Sequence, residues 1–422
     1  MAENSRKLRI LMLTHRLPYP PDRGDRIRSY HMLRLLSSQF DLAIACTSDE
    51  PVWLQHHQLL STMSRRVAIQ PISNRWSTLK SACAMLVGKT ATSASYYRAG
   101  LADQICQWHE QQPFDAVLTY CTGMIKYARL ILRPHKGAPR PRHIIDLVDV
   151  DSVKWRSYAR DAWVPLRWVY AAEARRLRQV EAGRFDQFDA VVVSTAAEAQ
   201  IYREHVSDRD NLTVVANGVD MEYFNPLPDA GNKTIVFVGV LNYRPNVDGI
   251  TWFVDKVLPQ LRKQDPEIKL LIVGRHPSLR VRELDDHPGV NVVGSVADVR
   301  HYLAESSAVI APLRIAGGVQ NKVLEAMASA RAVVCSPGAA SGIDATADEQ
   351  LLIADSPQQW ADHLVKLLGD AQFRTRLARN ARQCVEQRYN WKKCLEPMVA
   401  LLNGHRGPDP TNVALPGGAL AS

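Results

Sequence analysis

Lys322 and Glu325 are the first residues to weigh for chemistry. They lie in Gly317-Gly318-Val319-Gln320-Asn321-Lys322-Val323-Leu324-Glu325-Ala326-Met327-Ala328. Three positions apart, they share one face of a helix that starts near Asn321. The glycine pair allows a tight turn into that helix, whose free N–H groups and dipole attract an anion. A cation beside those groups suits a diphosphate, and a carboxylate one turn later suits two ribose hydroxyls. The alternative is a surface ion pair on an amphipathic helix. Two other turns repeat the design. Phe237-Val238-Gly239 leads into Arg244-Pro245-Asn246-Val247-Asp248, with Asn246 or Asp248 near a helix cap. Ile272-Val273-Gly274-Arg275 ends a strand in the same way.

A second group belongs to the first half of the chain. An apolar run ends at Thr14-His15, prolines follow, and Gly24 opens a helix near Asp25. Arg23, Arg26 and Arg28 add positive charge to that turn, which makes it a candidate anion loop. It lacks the G-x-G-x-x-G spacing, so a dinucleotide cofactor is disfavoured. Asp149 and Asp151 close another strand. They could bind a divalent cation, contact a substrate hydroxyl, or cap the helix that follows. His15 reaches the same edge, or is a buried structural histidine.

The elements that must carry these residues are short. Apolar runs at Leu8–Leu13, Asp41–Cys46, Arg66–Ile72, Phe114–Tyr120, His143–Val148 and Ala190–Ser194 read as strands. The rhythm returns at Thr234–Val240, Lys269–Val273, Val290–Val293, Ala308–Ala311, Ala332–Cys335 and Gln350–Ile353. Near-continuous hydrophobicity suits strands covered on both faces, and helical patterns such as Val247–Lys263 lie between them. The fold class is therefore α/β: two Rossmann-like, doubly wound domains with a cleft between them. The Pro-rich stretch Asn225–Gly231 sets the boundary. The expected domains are 1–224 and 225–385, a closing helix at 386–404 that packs back on the first domain, and a disordered tail at 405–422.

The chain has 422 residues, 46% hydrophobic and 23% charged, an ordinary globular composition. A net charge of +9 favours anionic partners without choosing among them. Seven scattered cysteines with no C-x2-C spacing argue for a reducing compartment and against a disulfide framework. Neither a signal peptide nor a spanning helix is legible. Residues 76–89 and 165–184 combine apolar and basic positions and could lie on a membrane surface; ordinary core-facing helices are the alternative.

Several segments together resemble the family 4 retaining glycosyltransferases. They are the Pro-rich Gly24 loop, Asn217-Gly218-Val219-Asp220 with Phe224 and Pro226, the Phe237-Val238-Gly239 turn, and Gly-Gly…Leu324-Glu325-Ala326-Met327-Ala328. Tyr389-Asn390-Trp391 resembles the family's closing aromatic. Arg16–Tyr30 and Asp146–Tyr158 look most like a subgroup from bacterial exopolysaccharide (PEP-CTERM) systems. The resemblance implies the GT-B fold and transfer, with retention, from a nucleotide diphosphate-sugar co-substrate without a metal or other cofactor. It implies a donor site from Gly239, Arg244, Asn246, Gly274, Arg275, Arg314, Gly317, Gly318, Asn321, Lys322 and Glu325. Asp149, Asp151 and His15 are the expected catalytic group. Gly24, Arg26 and Arg28 form the expected acceptor or diphosphate loop. The acceptor would be a glycan or polyprenyl-linked glycan. The protein would be cytoplasmic, with peripheral contact at the inner membrane face as an added option, and would bind no nucleic acid. Departures from the family pattern are Gly317 where a glutamate is usual, Val240 for an arginine and Asp248 for a lysine. Rival readings are a sugar-nucleotide epimerase of the same fold, a non-catalytic transferase partner and, from charge alone, a nucleic-acid binder.

Overall fold

The computed structural model describes residues 6–72, 90–135, 137–183, 188–314, 318–405 and 407. Gly317, the 76–89 stretch and most of the 405–422 tail lie outside the described residues. The chain forms two compact units, the first from the N-terminus to Ala216 with a return segment from Leu395, the second from Asn217 to Cys394.

In the first unit, β1 (Arg9–Thr14), β2 (Asp41–Ser48), β3 (Arg66–Pro71), β4 (Ala116–Tyr120), β5 (Arg142–Val148), β6 (Ala190–Val193) and β7 (Leu212–Val214) form one sheet. Their order is β3-β2-β1-β4-β5-β6-β7, and every neighbouring pair is parallel. In the second unit, β8 (Thr234–Val238), β9 (Lys269–Val273), β10 (Val290–Gly294), β11 (Ala308–Ala311), β12 (Ala332–Cys335) and β13 (Leu352–Ile353) form the order β10-β9-β8-β11-β12-β13, again all parallel. Both units are thus Rossmann-like and doubly wound. Each sheet reverses its winding once, between β1 and β4 and between β8 and β11.

The apolar runs become strands because helices cover both faces. In β8, Ile235 and Phe237 join Phe253 and Trp360 on one face, while Val236 joins Leu324 and Met327 on the other. Consecutive residues are therefore all buried, which requires a continuous apolar sequence. The second unit begins eight residues ahead of the Pro-rich stretch because Val219 and Phe224 pack into its core. Asn225–Gly231 is itself fixed to the Ala371–Arg388 helix. Arg382 donates to the Phe224 carbonyl at 2.7 Å, and Arg374 forms a two-pronged pair with Asp229 at 2.9 and 2.6 Å. The expected 386–404 helix is broken into pieces: Ala371–Arg388, Trp391–Cys394 and Glu396–Leu402, the last opening with Pro397 in its first turn. Its return segment belongs to the first unit, where Arg142 donates to the Leu402 carbonyl at 2.7 Å.

A buried ion pair ties the first unit together. Arg28, in the Gly24–Gln39 helix, meets Asp146 of β5 at 2.8 Å, and both side chains are fully buried. Arg28 also donates to the Val215 carbonyl just beyond β7. Arg26 is buried too, beside Asp22, Asp49 and Glu50. The expectation that Arg26 and Arg28 lend free charge to an anion loop is therefore corrected: internal carboxylates take up both guanidiniums. Gly24 opens the helix and is exposed.

Asp149 and Asp151 do not cap the Asp151–Asp161 helix. Its N-terminal amides are taken by glutamates from distant elements: Val150 N–H donates to Glu198 at 2.9 Å and Ser152 N–H to Glu181 at 3.0 Å. Burial raises both carboxyl groups to about 7, and neighbouring Asp149 and Asp151 add to the shift.

Arg28→Ala leaves Asp146 as an uncompensated buried charge and should destabilise the protein by about 3–5 kcal/mol, read as a lower denaturant midpoint. A carboxyl raised from about 4.5 to about 7 on folding contributes stability below its unfolded pKa and loses it as pH rises through 7. Glu181→Gln should therefore raise the melting midpoint at pH 8 by roughly 2–4 °C, with no gain near pH 5. Equal behaviour at both pH values would contradict this.

Candidate functional site

Ligands of open parallel sheets bind at the carboxyl ends of the strands, where the winding reverses. In the second unit that point lies between β8 and β11, and the expected donor residues gather there. β8 ends at Val238, so Gly239 begins the turn. Its amide donates to the Val273 carbonyl at 3.0 Å. Gly274, at φ +154°, follows β9, and a Cβ there would overlap the Gly239 carbonyl oxygen. Only glycine lets these two strand ends lie so close.

The Asn321–Ala328 helix follows β11 and brings Lys322 back over the same turn. Lys322 Nζ donates to Asn246 Oδ1 at 2.6 Å and lies 4.7 Å from the Phe237 ring centre. A Cβ on Gly239 would sit 3.0 Å from that ammonium and 2.9 Å from the Asn246 amide. Asn246 is buried in the first turn of the Arg244–Lys256 helix, and its amide donates to the Val240 carbonyl at 2.9 Å. Glu325 stands one turn beyond Lys322. Desolvation lowers Lys322 to about 7 and raises Glu325 to about 7, while their mutual attraction opposes both shifts. Among the described residues, Glu325 is the charged group that acts on this cation, an arrangement that an incoming anion would stabilise.

The approach loop is closely packed. Gly318 adopts φ +65°, and a Cβ on Gly342 would lie 2.3 Å from its carbonyl oxygen. Gly342 was not singled out in the sequence, and only this contact reveals it. Asn321, first in its helix, accepts from Asn217 at 3.3 Å, which brings the Asn217-Gly218-Val219-Asp220 segment to the site. Val219 N–H donates to the Tyr389 carbonyl at 2.8 Å, and Gly218 abuts the Trp391 backbone, so two segments far apart in sequence pack as one. The remaining cations stand further out. Arg244 is largely exposed and 3.5 Å from Asp248, and Arg314 is exposed. Arg275 is half-buried after Gly274.

In the first unit the winding reverses between β1 and β4. His15 follows β1, lies buried, and stacks on Tyr120 of β4 with ring centres 5.7 Å apart. Tyr96 meets it edge-on at 5.3 Å. His15 Nε2 is 3.4 Å from Asp25, which Arg16 also holds at 2.5 Å. Burial acts to raise the Asp25 carboxyl, yet the hydrogen bond from His15 and the Arg16 guanidinium hold it far below the ordinary range. Two strand ends here are strained. Cys121 after β4 has φ +68° and Val148 at the end of β5 has φ +66°. A β-branched residue in that region is uncommon and tends to mark functional sites. The bend at Val148 turns the chain so that Asp149 and Asp151 follow the edge. Asp151 accepts from Thr122 Oγ1 at 3.0 Å, and burial raises both aspartates above the usual carboxylate range. Arg16, Asp25, Tyr96, Tyr120 and Thr122 were not proposed as site residues from the sequence. Nothing in their local spacing marks them, because four elements bring them together. Among the described residues, no group of three or more His, Cys, Asp or Glu side chains is arranged to hold a metal ion.

Residues 232–370 match the family model described as Glycosyl transferases group 1. An uncharacterized 44.6 kDa protein in a cps region of Klebsiella pneumoniae is 28% identical over 173 residues, covering 39% of this chain and 45% of that one. The D-inositol 3-phosphate glycosyltransferase of Corynebacterium glutamicum is 26% identical over 285 residues, 58% of this chain and 63% of the relative. The chain thus spans 45% to 63% of the length of these relatives. Among solved structures, Anabaena HepE in complex with UDP has a TM-score of 0.64 at 14% identity, covering 94% of this chain and 100% of that one. The same protein in complex with UDP-glucose has the same values. This second likeness is one of fold, the GT-B arrangement of two parallel-sheet Rossmann-like domains. The Glycosyl transferases group 1 match and the cluster of Gly239, Asn246, Gly274, Gly318, Lys322 and Glu325 fall on the same stretch of chain.

Proposed function

We propose that this protein transfers a sugar from a uridine diphosphate-sugar to a hydroxyl of a glycan or lipid-linked glycan, with retention and without a metal ion. The observation that carries this reading is Lys322 Nζ held over Gly239 by Asn246, with Glu325 one turn further along the same helix. The complexes of HepE with UDP and UDP-glucose support the choice of donor. The Klebsiella relative from a cps region supports a role in exopolysaccharide or other cell-surface polysaccharide synthesis.

In the proposed step the acceptor oxygen bonds to the anomeric carbon as the bond to the β-phosphate oxygen breaks. The acceptor proton passes to a donor phosphate oxygen, so no protein nucleophile is needed. Lys322 and the amides at the start of the Asn321–Ala328 helix stabilise the charge growing on the departing diphosphate, the kind of contribution that strengthens in the transition state. Glu325 holds the ribose hydroxyls. Asp149, Asp151 and His15 are assigned to the acceptor side, where the aspartates orient the attacking hydroxyl.

Calorimetry with UDP tests this. We expect micromolar binding, unchanged by EDTA, and weakened about tenfold or more in Lys322→Ala and Glu325→Ala, each of which removes a charged contact. Wild-type affinity and turnover in both variants would sink the reading. Protonation gives a second readout. At pH 8 a lysine with its pKa near 7 is mostly neutral, while a glutamate near 7 is mostly ionised. A diphosphate favours the ammonium form, so UDP binding at pH 8 should take up protons. Titration in buffers of different ionisation enthalpy measures this. Uptake should vanish in Lys322→Ala.

A further inference from the structure

We propose that the helical hairpin formed by residues 151–181 docks this protein, tip first, on an anionic lipid bilayer. The two helices, Asp151–Asp161 and Val164–Glu181, run antiparallel. Glu181 at the end of the second accepts from Ser152 at the start of the first, and Trp155 meets Tyr170 with ring centres 5.3 Å apart. The base of the hairpin is therefore at the carboxyl edge of the first unit's sheet, beside Asp149 and Asp151. Its tip, at Ala162–Trp163, stands about 15 Å away along the first helix, at 1.5 Å per residue.

The tip is apolar and uncovered. Trp163, Val164 and Trp168 are 68%, 67% and 73% exposed. A water-facing helix ordinarily shows charge there and turns its apolar stripe inward. Here the second helix has buried residues only from Glu173 onward, so its apolar first turns have no core to cover them. Tryptophan is the side chain best suited to the boundary between lipid and water, where its ring is desolvated and its N–H stays hydrated. Behind the tip the surface is basic. Residues 151–181 contain seven Lys and Arg against four acids, Asp151, Asp161, Glu173 and Glu181; Asp151 and Glu181 stand at the base, and Glu181 is buried. Glu173 is buried and accepts from the amides of Ala91 and Thr92, so its charge is directed inward. Arg156, Arg160 and Arg167 are exposed on the segments nearest the tip. Apolar anchors ringed by arginine match an anionic membrane: the rings enter the interface while the guanidiniums meet lipid phosphates. No helix among the described residues is long and apolar enough to cross a membrane, so the contact is one of docking.

The docking itself is independent of the sugar-transfer reading. What rests on that reading is its purpose, which is to hold a lipid-anchored acceptor within reach of Asp149 and Asp151 at the hairpin's base.

Sedimentation of the full chain with vesicles tests the inference. Vesicles of phosphatidylcholine containing phosphatidylglycerol should bind the protein at low salt, with a blue shift of tryptophan emission. Vesicles of phosphatidylcholine alone should bind it about tenfold more weakly. The pair Trp163→Ser and Trp168→Ser, and separately Arg160→Glu and Arg167→Glu, should each lower binding about tenfold while UDP affinity stays at the wild-type value. Absence of binding to the anionic vesicles, or equal binding by all variants, would overturn the proposal. So would a concentration-dependent dimer that disappears in the tryptophan pair, because the tip would then cover a second copy of the chain. Loss of UDP binding with intact vesicle binding would strike the sugar-transfer reading and leave the docking standing.

Discussion

A parallel sheet wound in both directions leaves its own carboxyl edge open at the strand where the winding reverses. Connections leave that strand and its neighbour towards opposite faces, and no helix lies across the gap. Both units obey this constraint, at β1/β4 and at β8/β11. Among the described residues, His15, Gly239, Asn246, Lys322 and Glu325 lie beside one of these openings or on the helix that follows, while Asp149, Asp151 and Gly274 follow the adjacent strands. The buried strands supply rigidity, and the turns supply the polar groups.

The two openings are built by different physics. In the second unit the glycines remove side chains, so that backbone and a lysine ammonium come within about one van der Waals contact of each other. Charge is scarce there, and Lys322 and Glu325 face a largely neutral neighbourhood. The first unit is crowded with charge. Arg16, Arg26 and Arg28 are all committed to carboxylates, while Glu181 and Glu198 serve as distant caps for helix amides. Strain at Cys121 and Val148 marks where strand geometry ends and positioning of side chains begins. One edge therefore holds a desolvated cation, and at the other the arginines are already paired with carboxylates.

How much of this the sequence disclosed depended on distance along the chain. Apolar runs located twelve strands, because burial on both faces is written into the central runs such as β1 and β8, and the edge strands β3 and β10 keep apolar runs though they are only half-buried. β7 escaped, since Leu212–Val214 is three residues long and offers no periodicity. The Val247–Lys263 pattern read as one helix, yet Pro259 in the first turn after Val257 divides it. Lys322 and Glu325 were legible as a pair because helical spacing is local. The fate of Arg28 was not, since its partner Asp146 is 118 residues away. The same holds for the helix caps. Asp149 and Asp151 are the right residue types in the right place, but only the folded chain brings Glu181 and Glu198 to the amides first.

The environment of Lys322 has a further chemical consequence. An amine whose pKa has fallen to about 7 carries a free lone pair for much of its time at neutral pH, where ordinary lysines carry none. Such an amine is a nucleophile. The desolvation that lowers this amine therefore also gives it the chemistry of a nucleophile towards acylating and carbonyl reagents. An anion bound against this amine would restore its proton and so quench its reactivity.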